Sequence, residues 1–127
     1  MIESLHHAAV IVTDVERARR FYGGVLGLSE LPRPDFGFDG VWYRVGAAQE
    51  LHLIVYPEAR TVRGTTAIDG GDGHFALRVR SYTEALEHLR AHGVAFRALP
   101  DNPTPWAQIY VTDPDGNVIE LNADRRT

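Results

Sequence analysis

The chain contains no cysteine. Disulfides, thiolate metal sites and cysteine nucleophiles are therefore excluded, and any metal ion has to be held by histidine and carboxylate groups. No apolar run approaches the ~18 residues of a membrane helix, and the opening Met1-Ile2-Glu3-Ser4-Leu5-His6 lacks the charged and apolar regions of a signal peptide. A Lys/Arg-rich run is also missing and the net charge is -4, so the basic footprint that a nucleic acid or an anionic membrane would need is absent. Arg17, Arg19 and Arg20 read as a solvated helix face. What is left is a chain of 127 residues with an ordinary apolar and charged content, expected to form one compact cytoplasmic domain that buries roughly two thirds of its unfolded surface.

The feature that is present is a repeat. His7-Ala8-Ala9-Val10-Ile11-Val12 returns as His74-Phe75-Ala76-Leu77-Arg78-Val79. In each copy a histidine opens a short apolar run, and a helix-start residue, Asp14 or Ser81, follows at the same distance. The spacing predicts a duplicated unit. In the first, a strand over Leu5–Val12 leads to a helix that starts at Thr13-Asp14-Val15-Glu16 and runs to about Leu26, with Gly27 as its stop. Strands follow at Leu28–Leu31, Val41–Val45 and Glu50–Tyr56. The second unit has a strand from His74 and a helix from Ser81, where Ser81 and Glu84 have capping-box spacing, to Gly93. Strands at Val94–Leu99, Ala107–Val111 and Val118–Leu121 complete it, the last two joined by the turn Asp113-Pro114-Asp115-Gly116.

The expected fold is α+β: two βαβββ modules forming a curved mixed sheet, with module 1 at about 1–57 and module 2 at about 74–127. A Gly-, Thr-, Arg- and Asp-rich linker at about 58–73, within a loop from Pro57 to Gly73, joins them. A loop of this length is also a candidate lid.

Strand alternation sorts the polar groups. Leu51, Leu53 and Val55 share one face, with Glu50, His52, Ile54 and Tyr56 on the other. Phe75, Leu77 and Val79 are expected to face a helix, leaving His74, Ala76 and Arg78 opposite. The repeat aligns His7 with His74, and Leu51-His52-Leu53 with Ile119-Glu120-Leu121, at separations of 67 and 68 residues. Each module thus offers two candidate ligands at matched places. If the sheets combine into one curved surface, His7, His52, His74 and Glu120 converge on a divalent cation. A lone histidine at a strand start is ordinarily a capped or half-exposed residue, and a lone buried glutamate ordinarily pairs with an arginine such as Arg78 or Arg44. The matched positions are what favour a metal. His6, the rival to His7, is expected to point to the other face, and His88 and His92 to be exposed on the second helix.

At this point the chain resembles the vicinal oxygen chelate superfamily: glyoxalase I, methylmalonyl-CoA epimerase, extradiol dioxygenases, fosfomycin-resistance enzymes and bleomycin-binding proteins. The resemblance covers nearly the whole chain. It is carried by His7 through Asp14, Phe21-Tyr22, Leu26-Gly27-Leu28, Leu51-His52-Leu53, Gly73-His74-Phe75-Ala76-Leu77 and Asp113-Pro114-Asp115-Gly116-Asn117-Val118-Ile119-Glu120-Leu121. It implies paired modules forming a cup around a metal, commonly in a homodimer. His7, His74 and Glu120 fall on the family's metal positions. His52 falls on a fourth position that is glutamate or glutamine in many glyoxalase-type and epimerase-type members, so histidine there is a departure.

The resemblance implies three functions. In a glyoxalase-like lyase or isomerase, the metal (Zn, Ni, Mn or Fe) binds two vicinal oxygens of a small-molecule substrate and stabilises the enediolate, with Glu120 as candidate base and His52 as a fourth ligand. In an extradiol dioxygenase, His7, His74 and Glu120 hold Fe(II), His52 is an unligated acid-base group, and Tyr110 resembles the active-site tyrosine of those enzymes. The third possibility is a non-catalytic binding or resistance protein, whose members generally lack the ligand set present here. Trp42, Arg44, Gln108 and Tyr110 are candidate substrate contacts, each as readily a packing or surface residue.

Overall fold

The computed structural model describes residues 1–56, 58 and 63–127. The chain divides into two compact units, Met1–Gly64 and Thr65–Thr127. The loop expected from Pro57 to Gly73 falls partly on residues 57 and 59–62, which lie outside the described residues; the described stretch 63–73 has no helix or strand. Among the described residues no helix is long and apolar enough to cross a membrane.

The first unit runs β1 (His7–Val12), α1 (Val15–Arg19, continued by a π-helical turn over Arg20–Val25), β2 (Ser29–Leu31), β3 (Gly40–Val45) and β4 (Gln49–Val55). Its sheet has the order β1-β4-β3-β2, with β1 parallel to β4 and the other pairs antiparallel. The second unit runs β5 (His74–Arg78), α2 (Tyr82–Ala91), β6 (Arg97–Leu99), β7 (Trp106–Thr112) and β8 (Val118–Asp124). Its order is β5-β8-β7-β6, again with one parallel pair, β5 and β8. The βαβββ repeat expected from the sequence is thus present in both halves, each built on a mixed four-stranded sheet.

Local chemistry accounts for the helix ends. Asp14 accepts a hydrogen bond from the Arg17 amide and Ser81 accepts one from the Glu84 amide, satisfying amides that have no partner within the first turn. Gly93, at φ 65°, closes α2. Its amide bonds the Arg90 carbonyl and the Val94 amide reaches back to Leu89, a Schellman arrangement. That closure takes Val94 out of the sheet, so β6 is shorter than the Val94–Leu99 strand that its apolar content predicts.

The first helix also departs from expectation. Beyond Arg19 the bonding widens, with the Leu26 amide donating to the Phe21 carbonyl at 2.9 Å. Gly23 and Gly24 carry no side chains to oppose the wider turn, and Phe21 and Tyr22, adjacent in sequence, both bury, their rings edge-on at 5.1 Å.

Each unit has its own apolar layer. Val41, Tyr43, Leu51 and Leu53 face α1 and its continuation, where Ala18, Phe21 and Tyr22 are buried. In the second unit Ile109, Val111, Ile119 and Leu121 are buried and α2 packs on β7 and β8, with Leu89 buried. The opposite faces carry His7, His52, His74, Glu50 and Glu120.

Candidate functional site

The register in the two sheets is the same relative to the paired groups. In the first unit His52 lies opposite Ala9, two residues after His7. In the second, Glu120 lies opposite Ala76, two residues after His74. Because alternate residues share a face, each sheet presents its two candidate donors side by side. The equivalence extends to the neighbouring strand: Trp42 lies opposite His52, and Tyr110 opposite Glu120. That second pairing is not evident from the sequence, because Trp42 and Tyr110 sit in strands with little else in common.

In the first unit His52 is the middle of a column of rings. It stacks on Trp42 at 4.2 Å with planes 7° apart, and on His7 at 4.1 Å and 17°. Its Nε2 lies 2.8 Å from Glu50 Oε2, so Nε2 carries the proton and donates. This hydrogen bond holds the Glu50 carboxyl below the ordinary glutamate range. The sequence pattern does not single out Glu50 as a partner, although its place two residues before His52 puts both on one face. Arg44 approaches the other Glu50 oxygen at 3.9 Å. His6 precedes β1, so strand alternation does not govern it, and its Nδ1 faces that of His7 at 2.9 Å. His88 and His92 are exposed on and just beyond α2, as expected.

In the second unit Glu120 is only 5% exposed. Its Oε1 accepts from Asn122 Nδ2 at 3.0 Å, and its Oε2 accepts from the Tyr110 hydroxyl at 3.3 Å. Gln108 Nε2 donates in turn to the Tyr110 oxygen at 3.1 Å. Burial pushes the Glu120 carboxyl up, but the hydrogen bonds from Asn122, Gln108, His74 and Tyr110 outweigh it and leave the pKa below the ordinary value. The associated stabilisation is present at pH above the unfolded-state pKa and is lost as pH falls through the lowered one. Burial, with the Glu120 charge, pushes the Tyr110 phenol up, so Tyr110 stays a donor at neutral pH.

The chemistry of this donor set fits a metal ion. His74 Nδ1 lies 2.7 Å from the Asp72 carbonyl oxygen, which only accepts, so Nδ1 holds the proton. Nε2 faces Glu120 Oε2 at 3.2 Å, a contact that a proton on Nε2 satisfies as a hydrogen bond and that a cation between the two atoms would satisfy in its place. A ring N–H fixed on a backbone carbonyl is also how metal-ligating histidines are commonly oriented. Among the described residues, no group of three or more His, Asp or Glu side chains is placed to hold a metal. Each unit presents a pair.

Gly70 keeps this corner in order. A Cβ added there would lie 2.7 Å from the Tyr110 ring, so Gly70→Ala is expected to displace the ring and loosen its hydrogen bond to Glu120. The check is the Tyr110 ring resonances, which shift in Gly70→Ala while the melting temperature changes little.

Known proteins show the same architecture. The family described as the Glyoxalase/Bleomycin resistance protein/Dioxygenase superfamily matches residues 4–121. A lactoylglutathione lyase of Salmonella typhimurium is 32% identical over 124 residues, covering 92% of this chain and 90% of that protein. A catechol-2,3-dioxygenase of Bacillus subtilis is also 32% identical, over 94% of this chain but only 41% of its own length. The crystal structure of a glyoxalase-family protein from Bacillus anthracis superposes with a TM-score of 0.81 at 27% identity, covering 98% of this chain and 97% of that one. With the duplicated βαβββ unit, the matched register of the donor pairs and a family match over nearly its whole length, the chain belongs to the glyoxalase/bleomycin resistance protein/dioxygenase superfamily.

Proposed function

We propose that the protein is a divalent-metal-dependent enzyme of glyoxalase type, a lyase or isomerase whose small-molecule substrate presents two vicinal oxygens, working as a cytoplasmic homodimer. The observation that carries this reading is the pair of donors at the same register position in each unit, His7 with His52 and His74 with Glu120. The lactoylglutathione lyase is matched over 90% of its length, whereas the dioxygenase is matched over 41% of its length.

His7, His52, His74 and Glu120 would hold the ion. When bound, a divalent ion supplies Lewis-acid stabilisation of negative charge on the substrate oxygens, worth several kcal/mol. Glu120 takes the proton from the carbon beside the substrate carbonyl, at Oε2, while Asn122 fixes Oε1. Tyr110, kept protonated, donates to the same carboxylate and orients it. Trp42, Arg44 and Gln108 contact the substrate.

A second reading, extradiol ring cleavage with Fe(II), is supported by the catechol-2,3-dioxygenase relative and makes His52 an unligated acid-base group; the bond from Nε2 to Glu50 orients the ring in either role. His52→Ala separates the two. If His52 is a ligand, metal affinity falls about 100-fold or more along with activity; if it is the acid-base group, metal content is retained and turnover alone drops about 10²–10⁴-fold. Assays with α-ketoaldehyde-thiol adducts and with catechols under oxygen-uptake recording identify which substrate class turns over. Turnover of neither class by metal-loaded protein counts against both readings.

A further inference from the structure

The first unit holds a cavity of about 180 Å³ next to His7 and His52, lined by Arg33, Phe36, Phe38 and Trp42. It is smaller than the roughly 300–1,000 Å³ pockets that take drug-sized ligands, and so suits a group of one or two fused rings. Its walls are aromatic. Phe36 stacks near Phe38 at 5.8 Å and tilts toward Trp42 at 5.9 Å, yet Phe36 and Phe38 are 50% and 47% exposed. Large rings left this open next to a cavity lack the partner that would cover them.

Among the described residues that line the cavity, Arg33 is the one Lys or Arg. The Arg33 guanidinium lies over the Phe36 and Phe38 rings at 4.9 and 5.1 Å, and one of its nitrogens donates to the Phe38 carbonyl at 3.1 Å. Its Nε is buried without a hydrogen-bond partner, and no carboxylate pairs with Arg33 among the described residues. Gly40 makes room for it, since a Cβ there would meet Arg33 Nε at 2.8 Å and the Leu53 carbonyl at 2.4 Å. An open aromatic box with an unpaired guanidinium is complementary to a flat ring that carries a negative charge.

We propose that this box is a subsite for an aromatic carboxylate, its ring against Phe36, Phe38 and Trp42 and its carboxylate on Arg33. Because His7 and His52 line the same cavity, the subsite names the substrate class for the proposed function: an aryl acid whose oxygens lie beside the metal-binding histidines. That assignment of class rests on the metal-enzyme reading. The binding itself does not, because Arg33, Phe36 and Phe38, the residues replaced in the test, lie outside the donor set.

The test is calorimetric titration of chelator-treated full-length protein with 2-naphthoate, with neutral 2-naphthalenemethanol and cationic 2-naphthylmethylamine for comparison. Saturable binding of the carboxylate is expected, weaker for the neutral compound and weakest for the amine. Arg33→Gln is expected to weaken naphthoate roughly 10- to 100-fold, and Phe36→Ala and Phe38→Ala several-fold each, with melting temperatures and divalent-metal uptake as in the wild type. Equal binding of the carboxylate and the amine, or unchanged naphthoate affinity in Arg33→Gln, overturns the proposal. So does sedimentation showing that Phe36→Ala and Phe38→Ala dissociate a dimer, since the rings would then cover a second copy. If naphthoate binds as described and the protein takes up no metal, the subsite stands and the metal-enzyme reading fails.

Discussion

Replacing His74 with alanine is expected to lower divalent-metal affinity by at least about 100-fold, and Glu120→Gln to do the same while leaving the fold intact. The magnitude follows from what each group contributes. Loss of a residue that merely orients a ligand typically costs 10- to 100-fold, so loss of a ligand is expected to exceed that range. His74 turns Nε2 toward Glu120 because the Asp72 carbonyl holds the other nitrogen. Alanine removes the donor, and glutamine offers an amide in place of a charged oxygen. Glutamine also retains the acceptor for Asn122 and keeps the volume of a side chain that is almost wholly buried, so the melting temperature of Glu120→Gln should lie close to that of the wild type. Calorimetric titration with Zn²⁺, Ni²⁺, Mn²⁺ and anaerobic Fe²⁺ reads the affinities, with His88→Ala as the control. Unchanged affinity in both variants would remove the second unit from the metal site.

Asp113→Ala is expected to destabilise the protein by about 3 kcal/mol, a fall in melting temperature of roughly 10 °C. Asp113 is only 2% exposed, and its carboxylate organises the turn between β7 and β8. Oδ1 accepts from the Asp115 amide at 3.0 Å and the Asn117 amide at 2.8 Å, and Oδ2 accepts from Asn117 Nδ2 at 2.7 Å. Alanine leaves these donors without their carboxylate, each at a desolvation cost of about 1–3 kcal/mol where water does not reach. The turn has a second constraint, because Gly116 has φ 87° and a Cβ there would meet the Thr65 carbonyl at 2.5 Å. Since this turn sets how β8 enters the sheet, and with it the position of Glu120 opposite Ala76, Asp113→Ala should also weaken metal binding. Thermal denaturation followed by circular dichroism measures the first effect. Asn117→Ala, which removes one of the donors along with its side chain, should cost less.

The duplicated unit was legible because strand alternation and helix capping are local rules. His7 and His74 open equivalent strands, and Asp14 and Ser81 cap equivalent helices, so the βαβββ order emerges without tertiary information. The same alternation puts His52 on the face of His7, and Glu120 on that of His74. What escaped the sequence depends on contacts between strands or on loops without a period. Trp42 and Tyr110 turn out to be equivalent because each lies opposite the second donor of its sheet, a relation set by register. Arg33, Phe36 and Phe38 sit between Pro32 and β3, where no hydrophobic period exists to say which way a ring points. The π-helical turn after Arg19 reflects two adjacent rings burying together, which an α-helical spacing reading of Val15 to Leu26 does not anticipate. Glu50 was visible as a neighbour of His52, but its hydrogen bond is a matter of rotamer, and only side-chain coordinates reveal it.

The proposed metal site takes one ion on His7, His52, His74 and Glu120. Its most direct measurement is the metal stoichiometry of reconstituted, desalted protein by elemental mass spectrometry, for the wild type, His7→Ala and His74→Ala side by side. The expected result is a single ion per chain in the wild type and loss of that ion in both variants, since each removes a donor of the same site. A wild type that retains no ion, or variants that each keep theirs, would contradict it.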